Sequence, residues 1–386
     1  MSRSWPALRR GVLLLGATLE LASCARPAAP APRAAPVKAA ARPTRTGVLA
    51  DGLAAAKAGD FAAATDRFDE LLKSEPGNRL ALANRAFCAE RAGDLARAAL
   101  AYKAALVVEP HDAELIAGSA RMLLVRGGAD EAARVVAQGL AREPEDPTLW
   151  LTLAAVQRAR KNFGAAAEAA RRVLLRDQRN VAAWKTLGLV HADEGRLELA
   201  QIVFLNALRL SGRDPSVHVN LAVLAHRRGD EALAQSELGL ALELDPTFVV
   251  ALENRGSLAL EYRDFALARQ SFAAATAAGA RSCTTKSGLA FALEGLRESK
   301  PALAALGEAY ALCKDPELVF TMGTICMVQL RDNSCALEHY EAYAKQRRDL
   351  PRDHKVFGLI ESLRQLVGKG PSKASVSASP PRADTH

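Results

Sequence analysis

An alanine recurs every 34 residues along most of the chain, at Ala64, Ala98, Ala132, Ala166, Ala200, Ala234, Ala268, Ala302 and Ala336. Twelve residues before it stands a second small position, filled by Gly52, Ala86, Ala120, Ala154, Gly188, Ala222, Gly256 and Ala290, with Thr324 as the exception. Four residues after it the side chain is usually large and apolar, as at Phe68, Tyr102, Phe204, Phe272 and Tyr340. Gly-Asp precedes the alanine at 59–60, 93–94 and 229–230, and Pro closes units at 76, 110, 144 and 246, slipping to Pro215 and Pro316. The pattern predicts two antiparallel helices per unit. The small residues let the helices approach, the large one fills the space beside them, and Gly-Asp supplies the turn and the cap of the second helix. Pro ends that helix and redirects the chain. One such hairpin cannot bury its apolar face alone, so neighbours must stack.

In one register the units run 45–78, 79–112, 113–146, 147–180, 181–214, 215–248, 249–282, 283–316 and 317–350, which is 306 of the 386 residues. After them, residues 351–367 place Val356, Leu359, Ile360, Leu363 and Leu366 on one helical face, which predicts a helix covering the last unit. The order large, Leu-Gly, Ala, aromatic, Pro, with Trp150 and Trp184 at the large position, resembles the tetratricopeptide repeat. That resemblance implies an all-α, right-handed superhelix (α-solenoid) of about nine helix-turn-helix repeats with a C-terminal capping helix.

Composition agrees with helices. Ala accounts for 80 residues and aromatics for only 5%, which favours close helix packing over sheets. No apolar run approaches the roughly 20 residues of a membrane-spanning helix. The formal charge of +8 lies wholly outside the repeats: residues 1–23 carry +2, residues 24–44 carry +4 and the tail from 368 carries +2. Residues 45–367 are therefore formally neutral, and a basic groove for phosphates has no charge to draw on. Nucleic acid is not an expected partner.

The first 23 residues have the three parts of an export signal: Arg3, Arg9 and Arg10, a short apolar run from Gly11 to Leu19, and small residues at Ala22-Ser23. Leu21-Ala22-Ser23-Cys24 resembles the bacterial lipobox, which implies cleavage before Cys24, a diacylglycerol on its sulfur and acylation of the new amine. Each buried CH₂ of such chains contributes roughly 0.8 kcal/mol to anchoring. With Ala at position 25, the resemblance implies an outer-membrane lipoprotein facing the periplasm, contacting the membrane through its lipid alone. Residues 24–44 hold five Pro and read as a Pro/Ala-rich tether reaching up to about 60 Å at ~3.1 Å per residue. The Ser/Pro-rich segment 368–386 reads as a disordered tail.

Catalytic chemistry is not in view. The chain has no GxSxG, P-loop, HExxH or Cys-x-x-Cys, and its seven His suit solvated or structural roles, so neither an enzyme nor a cofactor is expected. Cysteine says more. Cys283 and Cys313 hold positions 1 and 31 of the eighth unit, where the start of one helix meets the end of the other. Cys326 and Cys335 flank the turn of the ninth unit. Both pairs are read as bridges in an oxidising compartment. Reduced, buried thiols or another of the three pairings are the alternatives, and a zinc site is disfavoured because the spacings do not match finger patterns. Cys88 reads as a small buried apolar residue.

In the tetratricopeptide family partners lie against the first helix of each repeat. Positions 2, 5, 9 and 12 of those helices bring up Leu53, Phe87, Leu189, Val223, Phe291 and Ile325, an apolar groove suited to an amphipathic helix or an extended apolar segment, the alternative being that several of them pack against the adjacent repeat. Asn84, Asn220 and Asn254 share position 6, where the family's Asn often meets a peptide backbone. Lys185 stands without the companions of a carboxylate clamp, because Leu189 occupies the place an Asn would need. The expected function is a lipid-anchored scaffold for protein partners of the cell envelope, resembling type IV pilus pilotins and the repeat lipoproteins of gliding-motility complexes. An adaptor for murein hydrolases and a component of polysaccharide export are the alternatives.

Overall fold

The computed structural model describes residues 45–368. Helices α1 (Arg45–Lys57) and α2 (Phe61–Ser74) form the first hairpin, followed by α3 (Arg79–Arg91) with α4 (Leu95–Val108) and α5 (Ala113–Val125) with α6 (Ala129–Leu140). The pairs α7 (Pro147–Ala159) and α8 (Phe163–Arg176), α9 (Val181–Asp193) and α10 (Leu197–Ser211), and α11 (Pro215–Arg227) and α12 (Glu231–Leu244) continue the series. Next come α13 (Val249–Glu261) with α14 (Phe265–Ala277), α15 (Cys283–Gly295) with α16 (Ser299–Cys313), and α17 (Pro316–Ile325), which runs into a π-helical turn at Cys326–Leu330 before α18 (Asn333–Gln346). The last helix is α19 (Lys355–Gly368). Every described element is helical, and none is long and apolar enough to cross a membrane. The chain divides into two compact units, one ending at Arg255 and the other beginning at Gly256.

The turn inside each hairpin follows one rule. Position 15 of every repeat has a left-handed backbone: Gly59, Gly93, Gly127, Gly195 and Gly229 with φ between 76° and 82°, and Lys161, Arg263, Arg297 and Arg331 with φ between 55° and 64°. Glycine adopts this conformation without steric cost, whereas a side chain costs about 1–2 kcal/mol. Capping follows directly. The carboxylates of Asp60, Asp94, Asp230 and Asp264 accept a hydrogen bond from the backbone N–H three residues on, at 3.0, 2.9, 3.1 and 3.0 Å. Several first helices use the same device, with Asn78, Asp112, Asp146 and Asn180 as caps.

In the unit ending at Arg255, the core is a chain of clusters, each drawn from neighbouring hairpins. Phe68, Leu71, Leu82 and Ala86 share one with Tyr102, Leu115 and Met122, and Phe204 shares another with Val217, Leu221 and Leu224. Such nearest-neighbour packing is what a stacked repeat needs, since no hairpin closes its own core. Two tryptophans repeat a single contact one period apart: the indole N–H of Trp150 donates to the Pro144 carbonyl, and that of Trp184 to the Gln178 carbonyl, both at 2.8 Å.

In the unit beginning at Gly256, Phe272 is fully buried between Gly256 and Gly288; a Cβ on either would come within 2.7 or 2.3 Å of its ring. Tyr340 takes the same place in the ninth repeat, where Thr324 replaces the usual small residue and its hydroxyl lies 3.1 Å from the tyrosine hydroxyl. Helix α19 buries Val356, Ile360 and Leu363 in the cluster that holds Tyr340 and Tyr343. Leu366, expected on the same face, is exposed, because the helix has outrun the surface it covers.

Candidate partner-binding surface

The six apolar residues expected to face a partner all fall at position 9 of their repeats, yet they do not share one environment. Leu53 on α1 and Phe87 on α3 are 42% and 37% exposed. Leu189, Val223 and Phe291 are half-buried. Ile325 is 1% exposed, inside the cluster of Tyr340 and Val356. Its burial removes it from any partner surface: α17 turns into the π-helical segment at the next residue, and α19 closes over the same cluster. Leu80, at position 2 of α3, adds a more exposed apolar group two turns before Phe87, and Phe61 meets Phe87 edge-on with ring centroids 6.3 Å apart.

The asparagine column is tied to its own helices. Asn84 and Asn254 each donate from the side-chain amide to the carbonyl four residues back, at 2.8 Å, which leaves the amide oxygen facing away from the helix backbone. Asn220 is half-buried at the equivalent place. Lys185 does not belong to the surface at all. It is 6% exposed, and its Nζ donates to Asp214 and to the Ser216 hydroxyl, both at 2.9 Å. Burial alone would raise the Asp214 carboxyl; the Lys185 ammonium and the hydrogen bonds from Ser216 outweigh it and hold the group below its ordinary value. Since Asp214 also caps α11, Lys185 fastens one repeat to the next.

Other charges are spent in the same way. Arg121 donates Nε and Nη2 to the Glu90 carboxylate at 2.7 and 2.9 Å, and Glu90 also accepts from the Tyr102 hydroxyl. Burial, the Glu90 charge and that hydrogen bond push the tyrosine hydroxyl well above its ordinary range. Arg158 pairs with Asp193, and Arg347 with Glu317. The Arg121 and Arg158 pairs join neighbouring repeats, whereas the Arg347 pair closes the ninth repeat on itself. On α15, burial raises the Glu294 carboxyl against the opposing pull of Arg297, placing a weakly acidic group near Phe291.

The cysteines expected to pair are together. Cys283 and Cys313 are bonded with Cα atoms 5.7 Å apart, and Cys326 and Cys335 are bonded at the same Cα separation. Cys88 is a buried free thiol that burial pushes up to about 11. Three of the histidines face carboxylates, His191 with Glu194, His218 with Glu237 and His226 with Glu231. Cys326, Cys335 and His339 are the one set of metal-type ligand groups that converges among the described residues. Cys24 lies outside the described residues, as do the signal segment, the tether and the tail.

The first-helix reading passed over two features. Exposed apolar side chains also line the second helices, among them Leu100 and Val107 on α4, Leu175 on α8 and Ile202 on α10. Leu100 and Ile202 share position 22, and Val107 and Leu175 share position 29, so a column-by-column comparison of the repeats carried the signal. The second feature is a cleft of about 630 Å³ between α8, the following loop, the start of α9 and α10, lined by Leu174, Leu175, Trp184 and Leu210. Arg171, Arg179 and Arg209 also line it, together with the single carboxylate residue Glu168. Apolar groups with guanidiniums among them suit carboxylate-bearing segments.

Residues 49–113, 118–179 and 156–215 match the Tetratricopeptide repeat family. Among solved structures, the APC/C hetero-tetramer Cut9-Hcn1 aligns at a TM-score of 0.52 with 16% identity, over 78% of this chain and 59% of that one. Human IFIT1, solved as a dimer with m7Gppp-AAAA, aligns at 0.53 with 18% identity, over 78% of this chain and 72% of its own. A tetratricopeptide repeat protein from Parabacteroides merdae aligns at 0.50 with 17% identity, over 64% of this chain and 98% of its own. At these identities the likeness is one of fold. No curated protein matches the chain.

Proposed function

We propose that this chain is a lipid-anchored protein-interaction scaffold of the bacterial envelope. It faces the periplasm and helps to assemble or localise a larger machine, of the kind represented by pilus secretins or gliding-motility complexes. The observation that carries the partner-binding part is the exposure of Leu53, Leu80 and Phe87 on consecutive first helices. Apolar groups of that size left to solvent on successive first helices favour an apolar partner segment. Support for the anchor is the sequence Leu21-Ala22-Ser23-Cys24 behind a basic and apolar start. Palmitate labelling of the protein in cells tests it: label is expected on the native chain and lost in Cys24→Ala, and label that survives the substitution contradicts the anchor.

A second reading has its own observation. The exposed positions 22 and 29 of the second helices, with the cleft that Leu175 and three arginines line, offer another face to a partner carrying acidic and apolar residues. Cross-linking from the two faces separately distinguishes them.

A further inference from the structure

We propose that Cys326, Cys335 and His339 form a zinc site when the Cys326–Cys335 bridge is reduced, so that this corner of the ninth repeat exchanges a disulfide for a metal. The ligand atoms of the three side chains lie within 4.8 Å of one another. Tetrahedral zinc with two thiolates and an imidazole holds its ligand atoms about 3.5–3.8 Å apart. The sulfurs must open to that separation, and the imidazole must close to it from at most 4.8 Å. Cys335 and His339 are one turn apart on α18 and project from the same helical face. Cys326 reaches them from the π-helical turn across the hairpin, and single-turn π segments recur at functional positions in helices.

The backbone that carries these ligands is held independently of the sulfur bond. The Asp332 N–H donates to the Cys326 carbonyl at 2.9 Å, and the Asp332 carboxylate accepts from the Cys335 N–H at 3.0 Å. One residue therefore fixes both cysteines, and the ligands remain close once the bridge is broken. Cys326 is fully buried while Cys335 and His339 are partly open, which leaves solvent access for water as a fourth ligand. Thiolates with imidazole are the donor set that zinc prefers. Cys283–Cys313, the other bridge, has no third ligand group beside it among the described residues and serves as an internal control.

The chemistry balances with an external dithiol as reductant. The dithiol passes two electrons and two protons to the bridge and leaves as its own disulfide, giving two thiols; binding of one Zn²⁺ then releases their two protons.

The test is titration of the reduced full chain with Co²⁺, the spectroscopic substitute for zinc, under anaerobic conditions. One equivalent is expected to produce a thiolate-to-cobalt charge-transfer band. Cys326→Ser should abolish it, His339→Ala should weaken binding at least about tenfold, and the double variant Cys283→Ser with Cys313→Ser should leave it unchanged. As a second measurement, Zn²⁺ should protect Cys326 and Cys335 from alkylation and leave Cys283 and Cys313 reactive. Absence of the band, or a band that His339→Ala does not alter, overturns the proposal. Loss of helix on reduction that Zn²⁺ does not restore overturns it as well.

Discussion

A Cβ on Gly188 would stand 2.5 Å from the ring of Phe204, sixteen residues later on the partner helix of the same hairpin. The two residues belong to the small and large columns of the repeat, and Phe204 is almost wholly buried. Gly188→Ala is therefore expected to destabilise the protein by about 1–3 kcal/mol through overpacking. Gly239, mid-way along α12, has nothing within 4 Å of its missing Cβ. Gly239→Ala should stabilise by about 0.5–1 kcal/mol through helix propensity alone. Denaturant midpoints of the two variants should move in opposite directions.

The left-handed turns offer a second contrast. Lys161 holds φ at 58° where most repeats have glycine, and Gly93 holds 80° with open space around it. Lys161→Gly should raise stability by about 1 kcal/mol and Gly93→Ala lower it by a similar amount, since only the backbone term changes. Thermal melting of both variants measures the difference.

The Lys185–Asp214 pair makes stability depend on acid. Asp214 has a depressed folded-state value, so its ionised form contributes stability above the unfolded value of 3.8, and that contribution is lost as pH falls through the folded value. Removing the ammonium leaves a largely buried carboxylate unpaired. Lys185→Met should cost about 3 kcal/mol near neutral pH, and that cost should shrink as pH falls and Asp214 takes up its proton. An unchanged acid limb in circular dichroism would show that the pair does not govern it.

The thiols should separate by reactivity. Burial keeps the Cys88 thiol protonated, with a value pushed up to about 11, so native protein at pH 8 should leave it unalkylated until the chain unfolds. Unreduced peptide mapping should recover Cys283 joined to Cys313 and Cys326 joined to Cys335.

What could be read from the chain was whatever repeats. The period, the small and large columns and the Asp and Asn caps are each decided within one hairpin, and residues 49–113 and 118–215 match the repeat family. What escaped depends on partners far along the chain. Lys185 looked like a lone surface cation because its counter-charge, Asp214, lies 29 residues on. Ile325 fitted a partner-facing column, but the π-helical turn after it and the cover of α19 are features of the ninth repeat alone. Lys and Arg carry no preference for a left-handed backbone, so position 15 is visible as a turn only where it is glycine. His339 gave no sign of its place beside two cysteines, since the hairpin and not the spacing brings Cys326 to it.

The central claim is that partners are held against the first helices. The most direct measurement places a photo-cross-linking residue in cells at Leu53, at Phe87 or, for comparison, at Val107, which is 80% exposed on a second helix. The account predicts adducts with envelope proteins from positions 53 and 87 and none from 107, with the Phe87 adduct also suppressed when Leu80 becomes Glu. Adducts from 107 alone, or equally from all three positions, would contradict it.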